Sequence, residues 1–192
     1  GVFVLSNKEK NLNQLPNLGI IAGGGLLPSE IASLHQKLGG KVFIAALEGE
    51  ADISSITSYT YKQFPIGSVG ALLEYFVENN VKEVIIIGAI TRPDLKSIKV
   101  DVTGSLLIAK ILKEKFLGDD TVLKIISNFI ESKGFKVISP TKLLELSNYD
   151  GFHKTSVTPS KQDKIDTELG IKTLKTLSNL DIGQSVIVSD GY

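Results

Sequence analysis

"GIIAGGGLLPSEI", residues 19–31, sets three consecutive glycines between a short apolar run and a stretch that opens like a helix. An apolar run of this length that stops at glycine has the form of a buried parallel strand. Pro28 suits the first turn of a helix, where its missing N–H would have had no partner. A strand passing straight into a helix through Gly23-Gly24-Gly25 points the free amides and positive dipole end of that helix at whatever lies above the sheet edge. Glycine permits the turn, and it also lets a phosphate or sugar touch main chain that a Cβ would screen. A tight turn with no ligand would use the same residues, so both readings stand at this level.

Outward from this stretch, strand-length apolar runs alternate with amphipathic segments of helix length, the pattern of an α/β fold built on a mostly parallel sheet. Strands are expected at 18–23, 42–47, 58–63, 83–88 and 135–139, and helices at 29–38, 69–79, 104–116 and 119–133. The first helix places Ile31, Leu34, His35 and Leu38 on one face and ends at Gly39-Gly40, which suit a C-terminus. Asp119 is expected to cap the last of the four. The fold class predicted is α/β, a Rossmann-like mostly parallel sheet with flanking helices, followed by a linker and the start of a second domain.

Composition narrows the function classes. Lys+Arg and Asp+Glu both total 21 in 192 residues, which argues against general affinity for nucleic acid or anionic membranes. The chain has no Cys, so disulfides, thiolate metal sites and cysteine nucleophiles are excluded. No apolar run reaches the length of roughly 18 residues that a membrane span needs, and the N-terminal stretch lacks the pattern of a secretory signal, so a cytoplasmic location is expected.

The dinucleotide fingerprint fits the glycines poorly. Aligned to G-x-G-x-x-G, residues 23–28 put Pro28 where the third glycine should pack helix against strand, and no acidic residue ends the second strand cleanly, although Glu48 and Glu50 lie just beyond it. NAD is therefore a weak fit, and the Gly-Lys-Ser/Thr of a Walker loop is absent. A second stretch, "IIIGAITRPDL" at 85–95, places Thr91, Arg92 and Asp94 after the fourth strand, on the same sheet edge as the glycines. Arg92 is the lone Arg among 21 basic residues, which points to a need for a planar bidentate donor matching phosphate or carboxylate. A local pair with Asp94 or a helix end is the structural alternative. His35 reads as a packed residue and His153 as a linker residue, and two separated histidines make no metal motif. Asp119-Asp120 could hold Mg²⁺ or serve only the helix start. Ser29, Ser105 and Ser185 have no His partner or nucleophile elbow.

Four pieces, "LGIIAGGGLLPSEIA", "IIIGAITRPDL", "GDDTVLKIISNFIESKGFKVISPTKLL" and "DIGQSVIVSDG", together resemble, in order and spacing over 18–191, the bacterial UDP-2,3-diacylglucosamine pyrophosphatases of lipid A synthesis. The resemblance implies hydrolysis of the substrate diphosphate to UMP and 2,3-diacylglucosamine 1-phosphate with Mg²⁺, between two domains of which the first is Rossmann-like. It implies a substrate-binding set of Gly23, Gly24, Gly25, Thr91, Arg92, Asp94 and Gln184, with the UDP portion facing the glycines and Arg92. It leaves room for peripheral contact with the inner membrane and for a homodimer, and implies no nucleic-acid partner. The Glu-Gly-Thr-Asp segment that carries the family's essential carboxylate is absent, so no catalytic residue is carried over to this chain. A non-catalytic nucleotide-binding module on the same fold is the alternative, because fold alone does not establish chemistry.

The domain organisation expected is a flexible segment at 1–17, a nucleotide-facing domain at 18–146, a linker at 147–162 and an incomplete C-terminal domain at 163–192. In the last, a helix at 164–178 and a strand "QSVIVS" lead into Asp190-Gly191, a hairpin-turn signal with no return strand after it.

Overall fold

A computed structural model describes residues 15–91, 98–113, 118–146, 156–177 and 185–192. Five parallel strands form one sheet: β1 Leu18–Ala22, β2 Val42–Leu47, β3 Thr60–Phe64, β4 Glu83–Ile87 and β5 Lys136–Val137. Their order across the sheet is β3-β2-β1-β4-β5. The chain therefore builds outward from β1 on one side and then crosses back to β4 on the other. The two halves diverge between β1 and β4, the switch point at which open α/β sheets leave a crevice beyond the strand ends.

The three central strands, β2, β1 and β4, are covered on both faces because their sequences are apolar at both parities, whereas the edge strand β3, TYKQF, is largely exposed. Leu18, Ile20, Val42, Ile44 and Ile85 pack with Ile31 and Ala32 of α1 (Leu27–Lys37) on one face. Ile21, Ala45, Leu47 and Val84 pack with Leu72, Leu73 and Phe76 of α2 (Val69–Glu78) on the other. Two further helices, α3 Val102–Lys113 and α4 Asp119–Glu131, cover the second face beside α2, where Leu107 and Ile111 meet Phe129. The doubly wound α/β class expected from the alternation of elements is the observed one.

Several boundaries differ from the sequence reading. Strand β3 begins at Thr60 because residues 56–58 form a turn after a 3₁₀ segment at Ile53–Ser55. The last strand keeps only two residues of the five expected. A helix not anticipated, α5 Pro140–Leu146, follows it and packs against α1, adding Leu143 to the first core. Asp119 is not the cap of α4; Gly118 occupies that position, so no side chain is available there to cap with.

His35 is buried among apolar neighbours, as its place on the apolar face of α1 implied. Its Nε2 lies 3.1 Å from the Pro16 carbonyl oxygen, and no described group bonds Nδ1. Burial lowers its pKa from the ordinary value of 6.5, against the opposing pull of Pro16 and Glu83. The folded chain thus holds His35 neutral where the unfolded chain would protonate it. Stability from this group is full above pH 6.5 and falls on acidification below it, by up to about 1.4 kcal/mol per pH unit until the folded histidine titrates. Glu83, held by Lys142 at 2.8 Å and Lys136 at 3.3 Å, titrates separately. Burial is the strongest influence on it and raises its pKa, but the two lysines together hold it below the ordinary 4.5, so its contribution is lost only at lower pH. Denaturation curves between pH 7.5 and 5 should show the His35 slope, and His35→Gln should flatten it; an unchanged slope would contradict the assignment.

The C-terminal part begins with α6, Lys161–Leu177, which starts two residues inside the stretch read as linker. Residues 185–188 belong to no strand, correcting the reading of "QSVIVS". They have no described ladder partner; Val186 and Val188 instead face Gly170 of α6, and Ile187 points outward. The turn signal holds. Ser189 and Tyr192 exchange two backbone hydrogen bonds around Asp190 and Gly191, whose φ values are 52° and 84°, as a two-residue type I′ turn requires. Asp166 of α6 anchors this turn by accepting hydrogen bonds from the amides of Asp190 and Gly191.

Candidate functional site

Three loops converge beyond the carboxyl ends of β1, β2 and β4, and hydrogen bonds join them. Gly24 donates its N–H to the Ala89 carbonyl at 2.7 Å, and Ala89 donates back to Gly24 at 3.0 Å, an antiparallel bridge between two loops that leave parallel strands. The bridge needs two bare α-carbons. A Cβ on Gly23 would lie 2.3 Å from the Ala89 oxygen, and Gly88, at φ 106°, approaches Gly23 so closely that a Cβ there would lie 2.6 Å from the Gly23 carbonyl carbon. From the β2 loop, the Glu50 carboxylate accepts the Thr91 N–H at 2.9 Å and the Thr91 hydroxyl at 3.2 Å.

The three glycines thus have three different roles. Gly23 is buried in the loop junction. Gly24 is pressed against the β2 loop, where a Cβ would stand 2.9 Å from the Glu50 oxygen. Gly25 is exposed, with φ at 86° and no atom within 4 Å of the place a Cβ would take. Gly25 is accordingly the residue whose bare main chain faces open space, and α1 begins two residues later. Leu26 precedes the helix with no side-chain cap, so the first-turn amides have no capping oxygen from that residue. A left-handed glycine joined to an uncapped helix start suits a small anion.

Of the other residues expected in the site, Thr91 lies at this edge with both of its donors committed to Glu50. Arg92, Asp94, Gln184 and His153 lie outside the described residues. Glu50 is the member the sequence reading passed over: its place just after β2 was noted, but a brace between loops distant in sequence leaves no local pattern. Asp120 pairs with Lys124 one helical turn on. Among the described residues no three His, Asp or Glu side chains gather into a metal-binding group, and no helix is long and apolar enough to cross a membrane.

A doubly wound parallel sheet with a glycine loop at its switch point defines the class: a Rossmann-like domain with a candidate anion site at the carboxyl edge. Residues 17–146 match the LpxI N-terminal domain, and the chain belongs to that family. It is also similar to the UDP-2,3-diacylglucosamine pyrophosphatase LpxI of Caulobacter vibrioides, with 27% identity over 175 residues, covering 91% of this chain. The chain spans 62% of that relative's length.

Proposed function

We propose that this chain is the nucleotide-facing part of a hydrolase of lipid A synthesis, which cleaves the diphosphate of UDP-2,3-diacylglucosamine to UMP and 2,3-diacylglucosamine 1-phosphate. The observation that carries this reading is Gly25, an open left-handed glycine at the switch point with the α1 N-terminus behind it. Family membership and the relative's printed activity support the substrate.

In this proposal the chain's own contribution is binding and charge neutralisation. Main-chain amides at Gly25 and the first turn of α1 face the diphosphate, and Arg92, the next residue after the Thr91–Glu50 brace, supplies a bidentate donor to it. The described residues do not by themselves form a cage for Mg²⁺. Mg²⁺ bound to the substrate's diphosphate would neutralise part of its charge. Removing charge from the leaving UMP is what this half supplies, and activation of water belongs to groups outside the described residues. A substrate of this kind would place the protein in the cytoplasm at the face of the inner membrane.

Calorimetric titration tests the ligand class. UDP is expected to bind more tightly than NAD, since Pro28 occupies the place of the third dinucleotide glycine. Arg92→Lys is expected to weaken UDP binding by roughly tenfold, because a point charge cannot reproduce a two-pronged donor. Equal affinity of wild type and variant would remove Arg92 from the site, and preference for NAD would overturn the ligand class.

A further inference from the structure

A cavity of about 190 Å³ lies beneath the carboxyl ends of β1, β2 and β4, closed on its far side by α2, α3 and α4. Every described residue lining it is Ile, Leu, Val or Gly, with Ile21, Leu47 and Ile86 from the strands facing Leu107, Ile111 and Ile130 from the helices. Protein interiors are packed closely enough that a void of this size is unusual. The described lining offers a water no side-chain hydrogen-bond partner, and aliphatic cavities of roughly 150 Å³ stay dry and take hydrocarbon guests. The described lining offers no side-chain hydrogen bond to a sugar, so it suits a hydrocarbon guest.

The position of the cavity connects it to the loop junction. Ile90 lines it, is 39% exposed, and sits so close to Gly23 that a Cβ there would lie 2.9 Å from Ile90 Cγ1. The cavity therefore meets the surface beside the two loops that carry the proposed diphosphate site. A ligand with an anionic head and an aliphatic chain would use both at once.

We propose that this cavity holds one unbranched acyl chain of the ligand whose diphosphate lies at Gly25. The proposal rests on the diphosphate reading for the head group, and on the cavity alone for the chain. It assigns the N-terminal domain a part in recognising the lipid as well as the nucleotide. Apolar burial makes each methylene that enters worth about a fourfold gain in affinity, up to the length the cavity accepts.

The test uses n-alkyl phosphates from ethyl to dodecyl, below their micelle-forming concentrations, with UDP titrated separately. In the wild-type chain, affinity is expected to rise with chain length and then level off, with shifts in the methyl resonances of Ile86, Leu107 and Ile111. Ile108→Trp on α3 and Val100→Phe before it, both from the lining, are expected to weaken decyl phosphate at least tenfold while leaving UDP affinity within twofold. A flat dependence on chain length, or an unbroken rise without levelling, would overturn the cavity as the acyl site without recourse to any variant. Normal decyl phosphate binding by both folded variants would overturn it as well. UDP binding with no alkyl binding would reject the cavity and leave the diphosphate reading standing. Length-dependent alkyl binding without UDP binding would support the cavity and reject the diphosphate.

Discussion

Gly23→Val is expected to destabilise the fold far more than a substitution at the nearby exposed Gly25. The added Cβ would stand 2.3 Å from the Ala89 carbonyl oxygen and 2.9 Å from the Gly88 carbonyl carbon. Both are main-chain atoms held in the Gly24–Ala89 bridge, so neither can rotate away as a side chain would. Relief requires parting the loops after β1 and β4, at a cost of about 3 kcal/mol or more. For a chain of this length that lowers the thermal midpoint by roughly 6–12 °C. Gly25→Ala makes the contrast: it meets no atom and costs only the strain of a left-handed backbone, about 1 kcal/mol. Thermal unfolding of the two variants side by side checks the account, and similar losses would show that the close approach of the loops is not what holds Gly23.

Asp101→Ala carries the second large effect, because one carboxylate closes two helices. Asp101 Oδ2 accepts the Gly70 amide at 2.6 Å and the Ala71 amide at 3.3 Å at the start of α2, and Oδ1 accepts the Gly104 amide at 2.6 Å in the first turn of α3. A single cap is worth about 1 kcal/mol, and a carboxylate facing two helix dipoles adds to each. The alanine variant should lose about 2–4 kcal/mol, and Asn, which keeps one accepting oxygen, should lose less. Chemical denaturation measures both, and a loss below about 0.5 kcal/mol for alanine would contradict the shared cap. These helices also wall the aliphatic cavity, so the same substitution should loosen it.

Periodicity and glycine placement made the sheet legible from the sequence, because strands buried on both faces must be apolar at both parities and helices on a sheet must be amphipathic. Helix α5 was not legible: "PTKLLEL" is too short to display a period, and its packing against α1 is a tertiary fact. "QSVIVS" was misread because β-branched alternation is a strand signal only where a neighbouring strand exists to complete the ladder. The Asp-Gly turn that follows was legible, since two successive positive φ values need residues of that kind.

The candidate site was legible as a place and not as a set of roles. Three glycines in a row look alike in sequence, and what divides them is the position of Ala89 and Glu50, residues 65 and 26 positions beyond Gly24. Glu50 and Asp101 both bond to residues distant in the chain, and of the two only Asp101 had a usable local signal, an Asp three residues ahead of Gly104 at the start of an apolar run. As a test of ligand approach, Gly24→Val would strike the Glu50 carbonyl. Gly25 is the residue to use.

The central claim, that a nucleoside diphosphate lies against the open main chain at Gly25, is tested most directly by following the backbone amide resonances of the ¹⁵N-labelled chain during titration with UDP. The account predicts saturable shifts centred on Gly25, Leu26, Leu27 and Ser29, with smaller shifts at Thr91, and their loss in Gly25→Val with the rest of the spectrum retained. Saturable shifts that leave residues 25–29 unmoved, or no shifts at millimolar UDP, would contradict it.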